Sequence, residues 1–270
     1  MPNDHVVRVL FIGDIVGKAG RRAVRELLPT LKREWRLDFV VANGENAAGG
    51  IGITPEKAQE LFLLGIDVIT TGNHIWKRRE IIPYLDKDYR ILRPANYPPG
   101  TPGRGSGVFK IKEGLSIGVL NLEGRIFMKP LESPFKTAKE HLSYLKEKTS
   151  LILVDFHAEA TSEKMALGWF LDGEVSAVIG THTHVQTADE RILPKGTAYL
   201  TDAGMTGPVD SVIGMKKETA IATFITQLPN RFEVAGGKVE LQGVYLELDA
   251  ITGKALKINR LKEPLGGNHG

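Results

Sequence analysis

The chain has 270 residues, of which 35 are Lys or Arg and 32 Asp or Glu, giving a formal charge of +3. That length supplies ample core for one large domain or two small ones, and so balanced a charge is weak support for a nucleic-acid partner. Cysteine is absent, which excludes disulfides, thiolate metal sites and cysteine nucleophiles and fits a reducing cytosol. No apolar stretch reaches the length of a membrane span and the N-terminus lacks the apolar run of a signal peptide, so a cytoplasmic protein without a membrane anchor is expected.

In chain order, Val9-Leu10-Phe11-Ile12-Gly13 reads as a strand that ends in Asp14. Lys18 to Trp35 follows as a helix with Ala23, Leu27, Leu28 and Leu31 on one stripe, kinked or broken at Pro29. The solvated-surface reading is the default for Arg21-Arg22 and for Lys77-Arg78-Arg79, although the second cluster, close behind His74, also suits an anion. Phe39-Val40-Val41-Ala42 leads to Glu45-Asn46, and Thr54-Pro55 caps a helix that ends at Gly65. The run from Ile66 to Thr71 leads to Asn73-His74. Residues 93–107 hold too much Pro and Gly for a regular element and read as a long loop.

Two runs around Lys112-Glu113-Gly114 suggest a hairpin. A helix from Pro134 to Lys148 precedes the strand Leu151–Phe156, which ends in His157; a helix from Met165 to Leu171 precedes Val175–Ile179, which leads to His182 and His184. The tail looks antiparallel, with a hairpin of Phe232–Ala235 against Lys238–Leu241 about Gly236-Gly237. The whole reads as two stacked sheets with helices outside, one domain over residues 1–265, and a frayed tail over 266–270.

Strand–helix alternation predicts a parallel, covered sheet, and the carboxyl ends of such strands lie along one edge where ligands bind. Four of the seven histidines (His74, His157, His182 and His184) stand at strand ends, together with Asp14, Glu45 and Asn73. His5, His141 and His269 lie elsewhere and read as surface residues. Oxygen and imidazole donors without thiolate suit first-row divalent metals, with Fe or Mn foremost and Zn, Co or Ni as alternatives. The set is too large for one tetrahedral zinc and right for two ions sharing one carboxylate. Two such ions about 3.5–4 Å apart clamp an in-line displacement at phosphorus and acidify a bridging water. Two divalent ions, two carboxylates and one hydroxide leave a net positive charge, which favours a small anionic phosphodiester as substrate.

Gly13-Asp14-Ile15-Val16-Gly17, Asn43-Gly44-Glu45-Asn46, Gly72-Asn73-His74 and Thr181-His182-Thr183-His184 resemble the signatures of calcineurin-like metallophosphoesterases. More closely, with Ala47-Ala48-Gly49-Gly50, Asn121–Arg125 and Asp202–Gly207, the chain resembles the bacterial YmdB-type branch over nearly its whole length. The resemblance implies a four-layer α/β/β/α sandwich of two mixed sheets, a dinuclear metal site, and hydrolysis of 2′,3′- or 3′,5′-cyclic nucleotides. By position it implies Asp14 and His184 on the first metal, Asn73, His157 and His182 on the second, Glu45 bridging, and His74 as proton donor to the leaving oxygen. A purely electrostatic role for His74 is the alternative. The broad superfamily usually has histidine where this chain has Val16, and aspartate where it has Glu45. The Asn46 amide oxygen is the expected replacement ligand, with a turn residue as the bland alternative. The first metal is then the more labile.

For the loop Ala47–Gly50 with Gly52, phosphate contact and an ordinary turn remain open alternatives. Arg125 pairs with the phosphate or with a partner subunit of a homo-oligomer, and Met205 with the 93–107 loop suits a pocket wall. A nuclease or phosphomonoesterase would use the same metals, but the chain lacks the basic stripe of a polymer binder. A regulatory nucleotide-binding protein with structural metals would leave His74 idle. A mononuclear iron oxygenase would leave Asn73, His157 and Asp14 unexplained.

Overall fold

In the computed structural model, which describes residues 5–266, two mixed sheets lie face to face. Strands and helices are numbered in chain order. The first sheet runs β2 (Asp14–Ile15), β12 (Met205–Pro208), β13 (Val239–Asp249), β1 (Val6–Ile12), β3 (Phe39–Asn43), β4 (Val68–Thr70), β5 (Ile91–Leu92), with β14 (Ala255–Pro264) also on β13. The second runs β10 (Arg191–Ile192), β11 (Ala198–Leu200), β9 (Ala177–Thr181), β8 (Ile152–His157), β7 (Leu115–Glu123), β6 (Ser106–Lys112). The pairs β1/β3, β3/β4 and β4/β5 are parallel, as are β7/β8, β8/β9 and β9/β11.

The apolar runs of β1 and β8 are continuous because both faces are covered. Val9 and Phe11 point between the sheets with Val41, Val119, Leu153 and Ile179. Leu10 and Ile12 face outward onto α1 (Gly17–Glu34) and α2 (Pro55–Leu63), among Leu28 and Leu61. On the far side Val154 and Phe156 meet Leu142 of α4 (Pro134–Lys146) and Leu167 of α5 (Thr161–Phe170). Helix, sheet, sheet, helix is the expected sandwich. The short α3 (Ile82–Leu85) and α6 (Lys217–Thr226) complete the α-helices among the described residues.

Thr54 caps α2 as expected, its hydroxyl accepting from the Lys57 amide at 3.4 Å. Three local expectations are corrected. Helix α1 is not broken at Pro29; Pro29 and Arg25 are both exposed, which eases the loss of the helical hydrogen bond that proline cannot donate. Residues 232–235 do not pair with 238–241. Their backbone bonds instead to the 214–216 loop, Lys216 N to Glu233 O and Ala235 N to Gly214 O, each 2.9 Å, while β13 is one unbroken strand between β1 and β14. His141 is half-buried, its Nδ1 2.8 Å from the Ser106 hydroxyl. His269 and positions 267–270 of the expected tail lie outside the described residues.

Candidate active site

The parallel strands β1, β3, β4, β8 and β9 all present their carboxyl ends to one edge. Asp14 follows β1, Glu45 and Asn46 follow β3, Asn73 and His74 follow β4, His157 closes β8, and His182 and His184 follow β9. All eight expected residues meet there, joined in one chain of contacts. His157 Nε2 lies 3.0 Å from Asn73 Oδ1, 3.2 Å from Glu45 Oε1 and 3.0 Å from His182 Nδ1. Asn46 Nδ2 lies 3.3 Å from Glu45 Oε1 and 3.2 Å from His184 Nε2, which is 3.6 Å from Asp14 Oδ1. The Asp14 carboxylate accepts the His182 backbone amide at 3.1 Å. His74 enters through its own amide, which donates to Glu45 Oε2 at 2.9 Å, and its Nδ1 is 2.8 Å from Asn46 Oδ1.

The outer nitrogens fix the tautomers. Thr181 donates its hydroxyl to Asp155 Oδ1 at 2.7 Å, so its oxygen accepts from His157 Nδ1 at 2.9 Å. His182 Nε2 is 3.0 Å from the Glu159 carboxylate and His184 Nδ1 is 2.9 Å from the Ile213 carbonyl, both pure acceptors. Hence His157 Nε2, His182 Nδ1 and His184 Nε2 are the nitrogens turned inward, each able to ligate once it carries no proton. Two bare nitrogens 3.0 Å apart repel unless a proton or a cation sits between them. The Asp14 Oδ1 atom is buried with no hydrogen-bond partner, and ligand atoms of Glu45, His157 and His182 lie within 4.8 Å of one another. The residues therefore fit a divalent metal centre with nitrogen and oxygen donors.

The electrostatics agree. Burial disfavours charge on both carboxylates, yet His157 and His74 hold Glu45 well below its usual range and His184 and His157 hold Asp14 below its own. Against its burial, His157 is raised to about 9 by Glu45, Asp14 and Asp155, and His184 to about 8 by Asp14. Burial and the adjacent His157 charge press His182 down to about 3.

Strain is concentrated at this edge. His182 and His184 adopt φ of 100° and 63°, a region costly for side chains with a Cβ. A buried ion pair holds that turn: Lys164 Nζ donates to the Thr181 carbonyl and to Asp202 Oδ2, both 2.7 Å, and Asp202 Oδ2 also accepts the Thr183 amide and hydroxyl. Gly72 is required by proximity, since a Cβ there would lie 2.1 Å from the His157 ring.

Several supporting residues carry no role in the sequence reading. Asn43 donates toward Asp155 at 3.2 Å, and Asp155 is pushed up to about 7 by burial. A carboxylate inside an apolar strand run is the signal that marks it. Lys164 lies on the buried stripe of its helix with Leu167 and Leu171, and Glu159 sits in the loop before that helix; neither left such a mark. Glu123 is fully buried beside Tyr97 with both oxygens unpartnered, and burial raises it to about 7. Arg21 is not the expected solvated residue: it is buried, bonded to the Ala47 carbonyl and, at 3.0 Å, to Glu60. Arg78 straps the glycine loop, donating to the carbonyls of Ala48 at 3.0 Å and Ile51 at 3.2 Å. Met205 is buried and lines a recess with His184, whereas Arg125 is exposed and its amide donates to Glu163.

Comparison with known proteins agrees with this geometry. The family described as YmdB-like protein matches residues 10–261. A Bacillus subtilis protein named 2′,3′-cyclic-nucleotide 2′-phosphodiesterase is 52% identical over 255 residues, 94% of this chain and 96% of that one. A crystal structure of a hypothetical protein from Thermus thermophilus superposes with a TM-score of 0.89 at 45% identity, covering 96% of this chain and 100% of the other. A crystal structure of a novel phosphatase from Mycoplasma pneumoniae gives 0.90 at 38%, covering 96% and 94%. The fold is that of the metallophosphoesterases, and the chain belongs to the YmdB-like protein family.

Proposed function

We propose that this protein is a metal-dependent phosphodiesterase that hydrolyses small cyclic phosphodiesters, foremost 2′,3′-cyclic nucleotides. The observation that carries the reading is the inward convergence of ring nitrogens from His157, His182 and His184 on Glu45 and on the partnerless Asp14 oxygen. Asp14, Asn46 and His184 would hold one divalent ion, Asn73, His157 and His182 a second, and Glu45 both. When bound, such a pair supplies Lewis acidity to the phosphoryl group and lowers the pKa of water at the site.

The protein's own groups do the rest. His74 stands beside the ligands with Nδ1 held by Asn46 Oδ1 at 2.8 Å and Glu45 Oε1 at 3.2 Å, so the doubly protonated ring is the form that carries a proton on Nε2 for the leaving oxygen. A proton delivered there makes an alkoxide into an alcohol as the P–O bond breaks, the work of a general acid. The relative from Bacillus subtilis, named for 2′,3′-cyclic nucleotides, supports this substrate class. The Mycoplasma pneumoniae relative is called a phosphatase, which favours phosphomonoesters as the second reading. Manganese- or iron-loaded protein assayed with a 2′,3′-cyclic nucleotide, a 3′,5′-cyclic nucleotide, bis-p-nitrophenyl phosphate, a phosphomonoester and single-stranded RNA separates these. The 2′,3′-cyclic nucleotide is expected to give the highest kcat/KM; faster turnover of the monoester would replace the proposal with the phosphatase reading.

A further inference from the structure

Beside His74 lies a cavity of about 480 Å³ whose wall includes Ile51, Ile213, Met215, Phe224 and Phe232, with His74 as its one polar side chain. The volume falls within the range of small-molecule pockets, about 300–1,000 Å³. Phe224 is 75% exposed and Phe232 51%, so both rings are open to a ligand. The cavity adjoins the proposed metal-ligand set: Ile213, which lines it, accepts from His184 Nδ1 through its carbonyl at 2.9 Å. Its floor is the Gly49-Gly50 turn, with φ of 70° and 91°, and a Cβ on Gly50 would meet Val234 at 2.6 Å and Met215 at 3.2 Å.

We propose that this cavity seats the nucleobase of the substrate. The inference rests on the phosphodiesterase reading above. In a 2′,3′-cyclic nucleotide the base is carried by C1′, the carbon next to C2′. A base-binding wall that adjoins His74 therefore agrees with O2′ as the leaving atom, the bond that the name of the Bacillus subtilis relative specifies. Water oxygen bonds to phosphorus, the P–O2′ bond breaks, O2′ takes the proton of His74, and His74 recovers one from water. The product is the 3′-monophosphate. An apolar wall grips a base by its faces, and every base has such a face. The site should therefore accept adenine, guanine, cytosine and uracil alike, with purines favoured by their larger rings.

The test compares adenosine 2′,3′-cyclic phosphate with 1-O-methylribose 2′,3′-cyclic phosphate, which lacks the base, on manganese-loaded wild type and on Phe224→Ala and Phe232→Ala. Calorimetric binding of adenosine 3′-monophosphate against ribose 3-phosphate gives a second readout that needs no turnover. Wild type is expected to prefer the nucleoside compound at least tenfold in kcat/KM and in Kd, roughly the strength of one base stack, with adenosine 3′-monophosphate as product. Phe224→Ala is expected to bring both ratios close to unity, mainly through KM. Equal wild-type turnover of the two substrates overturns the base site while the phosphodiesterase reading stands. Turnover of neither substrate sinks the phosphodiesterase reading, and the binding ratio still decides the cavity. A Phe224→Ala protein that keeps both ratios but sediments as a smaller species makes this face a contact between copies and ends the proposal.

Discussion

The Nδ1 atom of His74 lies 2.8 Å from Oδ1 of Asn46, so the proposed proton donor is positioned by the proposed substitute metal ligand. The amide nitrogen, not the oxygen expected as ligand, faces Glu45 and His184 at 3.3 and 3.2 Å, so the amide would have to turn over to offer its oxygen to a cation beside His184. Asn46 thus links His74 to the Asp14–His184 half of the site.

Asn46→Ala is expected to lose one of two bound metals on dialysis and to drop kcat/KM by roughly 10–100-fold, the usual cost of removing a group that orients a metal site. Asn46→Asp keeps an oxygen donor and is expected to retain both ions. Metal analysis after dialysis, paired with turnover, checks this. Full metal content and normal turnover in Asn46→Ala would remove Asn46 from the site.

His74→Ala is expected to lower kcat on a cyclic nucleotide by about 10²–10⁴ with metal content unchanged. The loss on bis-p-nitrophenyl phosphate should be far smaller, because p-nitrophenolate departs without a proton. Equal losses on the two substrates would point to electrostatic support of the phosphate in place of proton transfer.

Metal affinity should rise with pH. In the metal-free protein, carboxylates hold a proton on the His157–His182 pair and another on His184, with His157 raised to about 9 and His184 to about 8 against their burial. A cation competes with those protons, so binding strengthens as pH climbs from about 7 through 8 to 9 and then levels. Near pH 7 about two protons should leave per protein loaded with metal. Calorimetry in buffers of different ionisation enthalpy counts them; a pH-independent affinity with no proton release would show that these histidines do not ligate.

Lys164 is 1% exposed and paired with a fully buried Asp202. Lys164→Met leaves Asp202 uncompensated and is expected to cost about 3–5 kcal/mol while loosening the 181–184 turn. The double variant Lys164→Met, Asp202→Asn should recover part of that loss. Thermal unfolding of the three proteins measures it, and a Lys164→Met protein as stable as wild type would discount the brace.

The sandwich was legible because its central strands are buried on both faces and so read as continuous apolar runs, β1 and β8 most plainly. The site was legible for the same reason: Asp14, His157 and the His182-Thr183-His184 segment stand where those runs stop. What supports them was not. Lys164 and Arg21 lie on the buried stripes of their helices, but a charged side chain there reads as solvated because its partner, Asp202 or Glu60, arrives from far along the chain. The false hairpin at 232–241 had correct local turn chemistry, but long-range bonds to the 214–216 loop took its first strand away. Pro29 carried a local penalty that an exposed position made small. The apolar cavity beside His74 was invisible because its wall combines residues from near 50, 213 and 232 with one face of α6.

The proposed chemistry depends most on two cations at the meeting of β1, β3, β4, β8 and β9. Crystals grown with manganese and measured by anomalous scattering test that directly. Two peaks are predicted, one within reach of Asp14 and His184, the other of Asn73, His157 and His182, with Glu45 touching both. A single peak at saturating manganese, or peaks away from these side chains, would contradict it.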